Sequence, residues 1–174
     1  MRRLVAVLAA LEALAGAASA AAPVHVIHGD STAGGIRIAR STPADVKKLF
    51  GAPSTSHVTS ARSCGQRWNG AHLTVTFFAF EEKPCARGVA LIVTVTGRTA
   101  WRTAVGLRVG DSAARLRSLY PKASLRTGFA LESGYWLVTR HVCAEVGGGD
   151  YPGLLARMKG GRVGALVVRS SVCD

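Results

Sequence analysis

His141 and Cys143 lie two residues apart in a β-rich stretch, so one strand face would carry both, as a cysteine nucleophile and its imidazole base require. In an exported chain, a cysteine with available partners reads instead as half of a disulfide. His25-x-x-His28-x-Asp30 sets three metal-ligand types close together, a spacing that equally suits a polar tail, which is the reading adopted. Glu81 and Glu82 are adjacent carboxylates, and on a strand they would point to opposite faces, which defeats a shared acid/base role. Gly147-Gly148-Gly149-Asp150 opens no helix and carries no lysine, so it lacks what a phosphate cradle needs. No Gly-x-Ser-x-Gly elbow is present, and a hydrolase would require a deep pocket enclosing His141 or His72 with a carboxylate. The sequence therefore predicts no catalytic residues, no cofactor and no metal.

The ends place the chain. Arg2 and Arg3, the apolar run Leu4 to Leu14 and Ala18-Ser19-Ala20 have the form of a signal peptide over residues 1–20, although Glu12 interrupts the run. The expectation is a mature protein exported to the cell envelope or the medium, with no transmembrane segment. Arginine outnumbers lysine and alanine is abundant, the bias of a GC-rich bacterial genome. Without Arg2, Arg3 and Glu12, 20 basic and 9 acidic side chains remain, a net charge of +11. Export and the scatter of the basic residues, singly at Arg37, Arg40, Arg62, Arg67 and onward, argue against nucleic acid as partner. They suit a solvated basic surface facing an anionic envelope.

Four cysteines, Cys64, Cys85, Cys143 and Cys173, form an even set with three possible pairings. A structural zinc site is the rival, but neither C-x-x-C nor H-x-x-x-H spacing occurs.

An internal echo organises the chain. Ile36-Arg37-Ile38, Thr42-Pro43 and the apolar trio Val46, Leu49, Phe50 are matched by Leu107-Arg108-Val109, Asp111-Ser112 and Leu116, Leu119, Tyr120. The triplets are 71 residues apart (36 to 107) and the trios 70 apart (46 to 116). Two copies that each close on themselves favour Cys64–Cys85 and Cys143–Cys173. In the first copy Thr42 caps a helix, Asp45 completes a capping box, and Gly51 with Pro53 ends it. In the second, Asp111 caps and Pro121 ends. Strands follow: Val58 to Trp68, the turn Asn69-Gly70, Ala71 to Phe80, Val89 to Thr96, then Tyr135 to Arg140, Leu154 to Met158, the turn Gly160-Gly161 and Val163 to Arg169. The predicted fold is α+β, two tandem repeats of a short helix on a small antiparallel sheet. Residues 21–35 form a linker or N-terminal strand, 36–104 repeat 1 and 105–174 repeat 2.

Over residues 36–170 the pattern Ile36-Arg37-Ile38, Thr42-Pro43-Ala44-Asp45-Val46, Leu49-Phe50-Gly51-Ala52-Pro53 resembles the repeat unit of bacterial β-lactamase inhibitor proteins. It is equally similar to the related small lipoprotein of the outer-membrane barrel-assembly complex. Two copies look more like the inhibitor, and the chain has no lipid-anchor cysteine. The resemblance implies the fold and a protein-binding habit, and with no matching inhibitory loop it carries over no inhibitory residues.

Phe78 and Phe80 alternate with Thr74 and Thr76, opposite Leu73, Val75, Phe77 and Ala79, so they belong to the sheet face away from the helix. With Trp68 and Tyr135 they are the candidate partner-binding residues, aromatics near arginine being the composition of an interaction hot spot. Trp101 reads as packing between the copies. The expected function is non-catalytic protein binding in the envelope or outside the cell. The alternative is electrostatic association with anionic cell-wall polymer or lipid.

Overall fold

β-branched residues in alternation, punctuated by Asn-Gly and Gly-Gly turns, make most of this chain strand. The computed structural model describes residues 24–80, 83–98, 101–127, 133–142 and 149–170, with the backbone alone at 141–142. The elements are β1 His25–His28, β2 Thr32–Ala33, β3 Ile36–Arg37, α1 Pro43–Phe50, β4 Thr55–Ser60, β5 Ser63–Trp68, β6 Leu73–Phe78, α2 Pro84–Arg87 and β7 Val89–Thr96. There follow β8 Trp101–Thr103, α3 Ala113–Leu119, β9 Ser124–Arg126, β10 Gly134–Val142, β11 Gly149–Lys159 and β12 Arg162–Arg169. The expected signal peptide, Glu81, Glu82, Cys143, Gly147, Gly148 and Cys173 lie outside the described residues.

Eight strands form one antiparallel sheet in the order β4-β5-β6-β7-β12-β11-β10-β9. Each half runs as a meander, and the halves join where β7 pairs β12, Val95 opposite Leu166 and Val93 opposite Val168. A second sheet, β3-β2-β1-β8, includes a parallel pair between β1 and β8.

This corrects the α+β expectation of two helix-on-sheet repeats. The chain is mostly β, and the three helices among the described residues have eight, four and seven residues. Helices that short supply little helical content and hold only by packing. The strands also do not divide into two small sheets, because β7 and β12 each have an unpaired side and satisfy it on each other. β1 and β2 lie within residues 21–35, where a linker or an N-terminal strand is expected; β8 and β9 are further strands, and the run from Val58 to Trp68 breaks at Ala61-Arg62 into β4 and β5.

The first helix follows its local chemistry. Thr42 Oγ1 accepts from the Asp45 N–H at 3.3 Å while Asp45 Oδ2 accepts from the Thr42 N–H at 3.0 Å, a capping box with Pro43 at the first turn. In α3 the cap is Ser112, which accepts from the Arg115 N–H, and not Asp111, whose carboxylate accepts from the Arg108 N–H. The apolar trios are only partly buried. Val46 and Leu116 are enclosed, whereas Leu49 is 49% exposed because eight residues present too narrow a face to cover it.

Leu73, Val75 and Phe77 of β6, Val93 and Val95 of β7, Leu166 and Val168 of β12, and Leu154 and Ala156 of β11 make the main core. Ile27, Ile36, Leu107 and Trp101 close it from the smaller sheet and its connections. Trp101 stacks on Phe50 at 5.9 Å and donates its indole N–H to the Ala71 carbonyl, so it is packing, not a contact surface. A Cβ on Gly34, whose φ is +56°, would lie 2.8 Å from the Trp101 ring; glycine is what lets the tryptophan in. Cys64 of β5 is bonded to Cys85 of α2 with their Cα atoms 5.1 Å apart, which ties the small helix to the sheet.

Candidate functional site

Antiparallel register places side chains in rows that cross the sheet, each row on one face. One row runs Thr55, Arg67, Thr74, Thr94, Val167, Leu155, Trp136 and Ser124 through all eight strands. The next row, Trp68, Leu73, Val95, Leu166, Ala156, Tyr135 and Leu125, lies on the opposite face, toward the core.

These rows separate the four candidate residues. Phe78 pairs with Ser63 on the outer face, and Phe80 follows the strand end. Their rings meet edge to face at 5.4 Å; Phe78 is half-buried and Phe80 is 72% exposed. Trp68 and Tyr135 belong to the core face. Trp68 is 3% exposed and donates its indole N–H to the Gly51 carbonyl at 2.9 Å, which fastens the end of α1 to β5. Tyr135 is half-buried and its hydroxyl accepts from Arg117 of α3 at 3.2 Å. Phe78 and Phe80 thus form a pair without the other two.

The outer face has two characters. Toward β9 it is apolar and closed, with Trp136, Leu155 and Val167 buried together beside Ile92. The Arg126 guanidinium lies 4.3 Å from the Trp136 ring centroid and 4.0 Å from Asp150. Toward β4 it is open and polar: Arg67 is exposed, Thr74, Thr76 and Thr94 are half-buried, and the His57 ring covers Gly65, where a Cβ would come within 2.9 Å. A cleft of about 380 Å3 is lined by Arg67, Trp68, His72, Thr74, Thr94 and Thr96. Arginine, aromatic edges and hydroxyls on a fixed strand frame can meet a protein surface that offers carboxylates and apolar side chains.

The remaining chemistry-bearing residues are placed apart. His25 lies 4.7 Å from the Trp101 ring and 5.2 Å from Phe50, and burial there pushes its pKa below the usual histidine range. His28 is exposed at the strand end, while Asp30 is gripped by Arg140, whose guanidinium holds the carboxyl below the ordinary aspartate range. His25, His28 and Asp30 therefore do not converge as ligands. The side chain of His141 and all of Cys143 lie outside what is described.

Sequence reasoning missed Arg67 and the threonine row, although the alternation that located Phe78 also located Thr74 and Thr76. It chose Tyr135 for a face that Trp136 occupies, and no local signal in Gly134-Tyr135-Trp136 separates the two. The Asp30–Arg140 pair spans 110 residues and has no local signature. No protein family, curated protein or solved structure matches this chain.

Proposed function

We propose that this protein is an exported, non-catalytic binding module that holds a partner protein against the β4–β7 half of the outer sheet face. The observation that carries the reading is Phe80, a large ring 72% exposed and seated edge-on against Phe78, which shares its face of β6 with Thr74 and Thr76. Such a ring gains burial on docking at little conformational cost, because its partner ring already restrains it. The Cys64–Cys85 bridge agrees with an oxidising compartment. The resemblance of residues 36–53 to β-lactamase inhibitor proteins agrees with a binding habit.

The test is two-component binding with a partner captured from the envelope fraction and then purified. Phe78→Ala plus Phe80→Ala should weaken it about 30-fold or more, the scale of a hot-spot truncation. Circular dichroism and the melting temperature must report an intact fold. Unchanged affinity in the folded double variant removes the face from the function.

A second reading follows from the charge of +11 left after the expected signal is removed: association with anionic cell-wall polymer or lipid. Salt separates the two. Binding by diffuse charge collapses between low and moderate ionic strength, whereas docking of the phenylalanine pair persists.

A further inference from the structure

Two neighbouring rows on the outer face present polar side chains to the 380 Å3 cleft, a volume within the range of small-ligand sites. Arg67 of β5, Thr74 of β6 and Thr94 of β7 form one row. Asn69, His72 and Thr96 form the next. The His72 N–H donates to the Asn69 carbonyl at 3.1 Å, and the Thr96 N–H donates to the His72 carbonyl at 2.9 Å. Strands lie about 4.8 Å apart and same-face residues about 7 Å apart, so the grid covers roughly 7 by 10 Å. That is the footprint of one six-membered ring with its substituents. Among the described residues, none of these six side chains makes a hydrogen bond to another residue.

The grid is held in place before any ligand arrives. His72 sits at φ +49°, a left-handed conformation that glycine adopts without cost and histidine only under constraint. Its ring lies against Gly97, where a Cβ would come within 3.0 Å. The loop is pinned from behind, because the Asn69 N–H donates to Ser54 Oγ at 3.1 Å and the Trp101 indole N–H to the Ala71 carbonyl at 2.8 Å. A glycine at position 72 would make the same turn unstrained, so folding does not demand the imidazole.

Threonine hydroxyls, a carboxamide and a neutral imidazole each donate and accept, as the hydroxyls of a sugar do. Branching at Cβ limits the threonine rotamers, which lowers the cost of ordering them on binding. Arg67 is the only arginine or lysine among the described lining residues. Its planar fork matches a carboxylate and balances that single negative charge, whereas a phosphate monoester carries closer to two. We propose that this cleft binds a sugar acid, a pyranose bearing a carboxylate, with Arg67 on the carboxylate and Asn69, His72 and the threonines on the ring hydroxyls. It lies about 13 Å along β6 from Phe78 and stands whether or not the phenylalanine pair docks a protein.

The experiment is a nitrogen-15 NMR titration of the processed protein with glucuronate, glucose and acetate, at constant ionic strength of about 0.15 M. Glucuronate should give saturable shifts grouped at residues 67–74 and 94–97, with glucose and acetate at least about tenfold weaker. Arg67→Gln should raise the glucuronate Kd about tenfold and leave that of glucose unchanged, and Thr94→Val should raise both about threefold. His72→Gly should weaken binding while its melting temperature holds or rises, a split that a purely structural histidine would not give. Phe78→Ala plus Phe80→Ala should leave the glucuronate Kd unchanged, so this site and the protein-docking reading fail separately. A hyaluronan tetrasaccharide at equal carboxylate concentration assigns the source: tighter binding of the chain points to an acidic polysaccharide, tighter binding of the monomer to a free sugar acid, and either supports the site. Absence of saturation by glucuronate up to about 50 mM, acetate binding as tightly as glucuronate, or an unchanged Kd in Arg67→Gln overturns it.

Discussion

Replacing both members of the Cys64–Cys85 bridge by alanine should lower stability by about 3 kcal/mol. The bond closes a segment with a sequence separation of 21, and the chain-entropy relation gives about 3 kcal/mol for a loop of that length. Cys64 is fully buried, so lost packing adds to this figure. For a chain of this size the 3 kcal/mol of the loop alone lowers the melting temperature by roughly 6–12 °C, and the packing loss adds to it. Differential scanning calorimetry on the Cys64→Ala, Cys85→Ala double variant measures it, because a reductant would also attack any bond made by Cys143 and Cys173. The bridged segment contains β6, Phe78 and Phe80, so the same variant should bind a partner less well even below its melting transition. A drop smaller than about 2 °C would refute the reasoning, since it would mean that packing of α2 on β5 already confines the unlinked chain.

Thr42→Ala removes the acceptor for the Asp45 N–H and should cost about 1 kcal/mol, read as a lower urea midpoint at unchanged slope. Asp30 titrates below its unfolded value because of Arg140, so its contribution is present above about pH 4 and fades as pH falls through the folded value. The stability difference between the native protein and Asp30→Asn should be constant from about pH 5 to 7 and shrink below about pH 4; a constant difference throughout would show that the ion pair is not its source.

What the sequence made legible is what local chemistry decides. The α1 capping box, the Asn69-Gly70 hairpin and the alternation in β6 each depend on residues within a few positions of one another, and each is present in the structure. The Cys64–Cys85 pair was inferred from the internal echo and is also present. The α+β expectation gives way because well-capped helices of eight and seven residues are still only two turns long, whereas the strands make up most of the chain. Joining of β7 to β12 is a contact between distant segments, and alternation within either strand does not reveal its neighbour. The candidate site was legible to the same degree. Phe78 and Phe80 follow from a period of two, whereas Tyr135 was assigned to the wrong face. Tyr135 pairs with Ala156 in the core-facing row and Trp136 with Leu155 in the outer one, and a period of two alone does not decide which of two adjacent aromatics faces the core.

The seam between β7 and β12 makes the two halves hostages to each other. Val93 and Val95 on one side, and Leu166 and Val168 on the other, share a continuous hydrogen-bonded ladder above a common apolar layer. A fragment ending after β7 would bare a long hydrophobic margin and recruit a second copy or aggregate. A chain nicked between them at residues 97–100 would instead stay together as a noncovalent pair. Evolution or engineering can vary the loops at the far rims freely, but a change of register at the central strands must be answered on both.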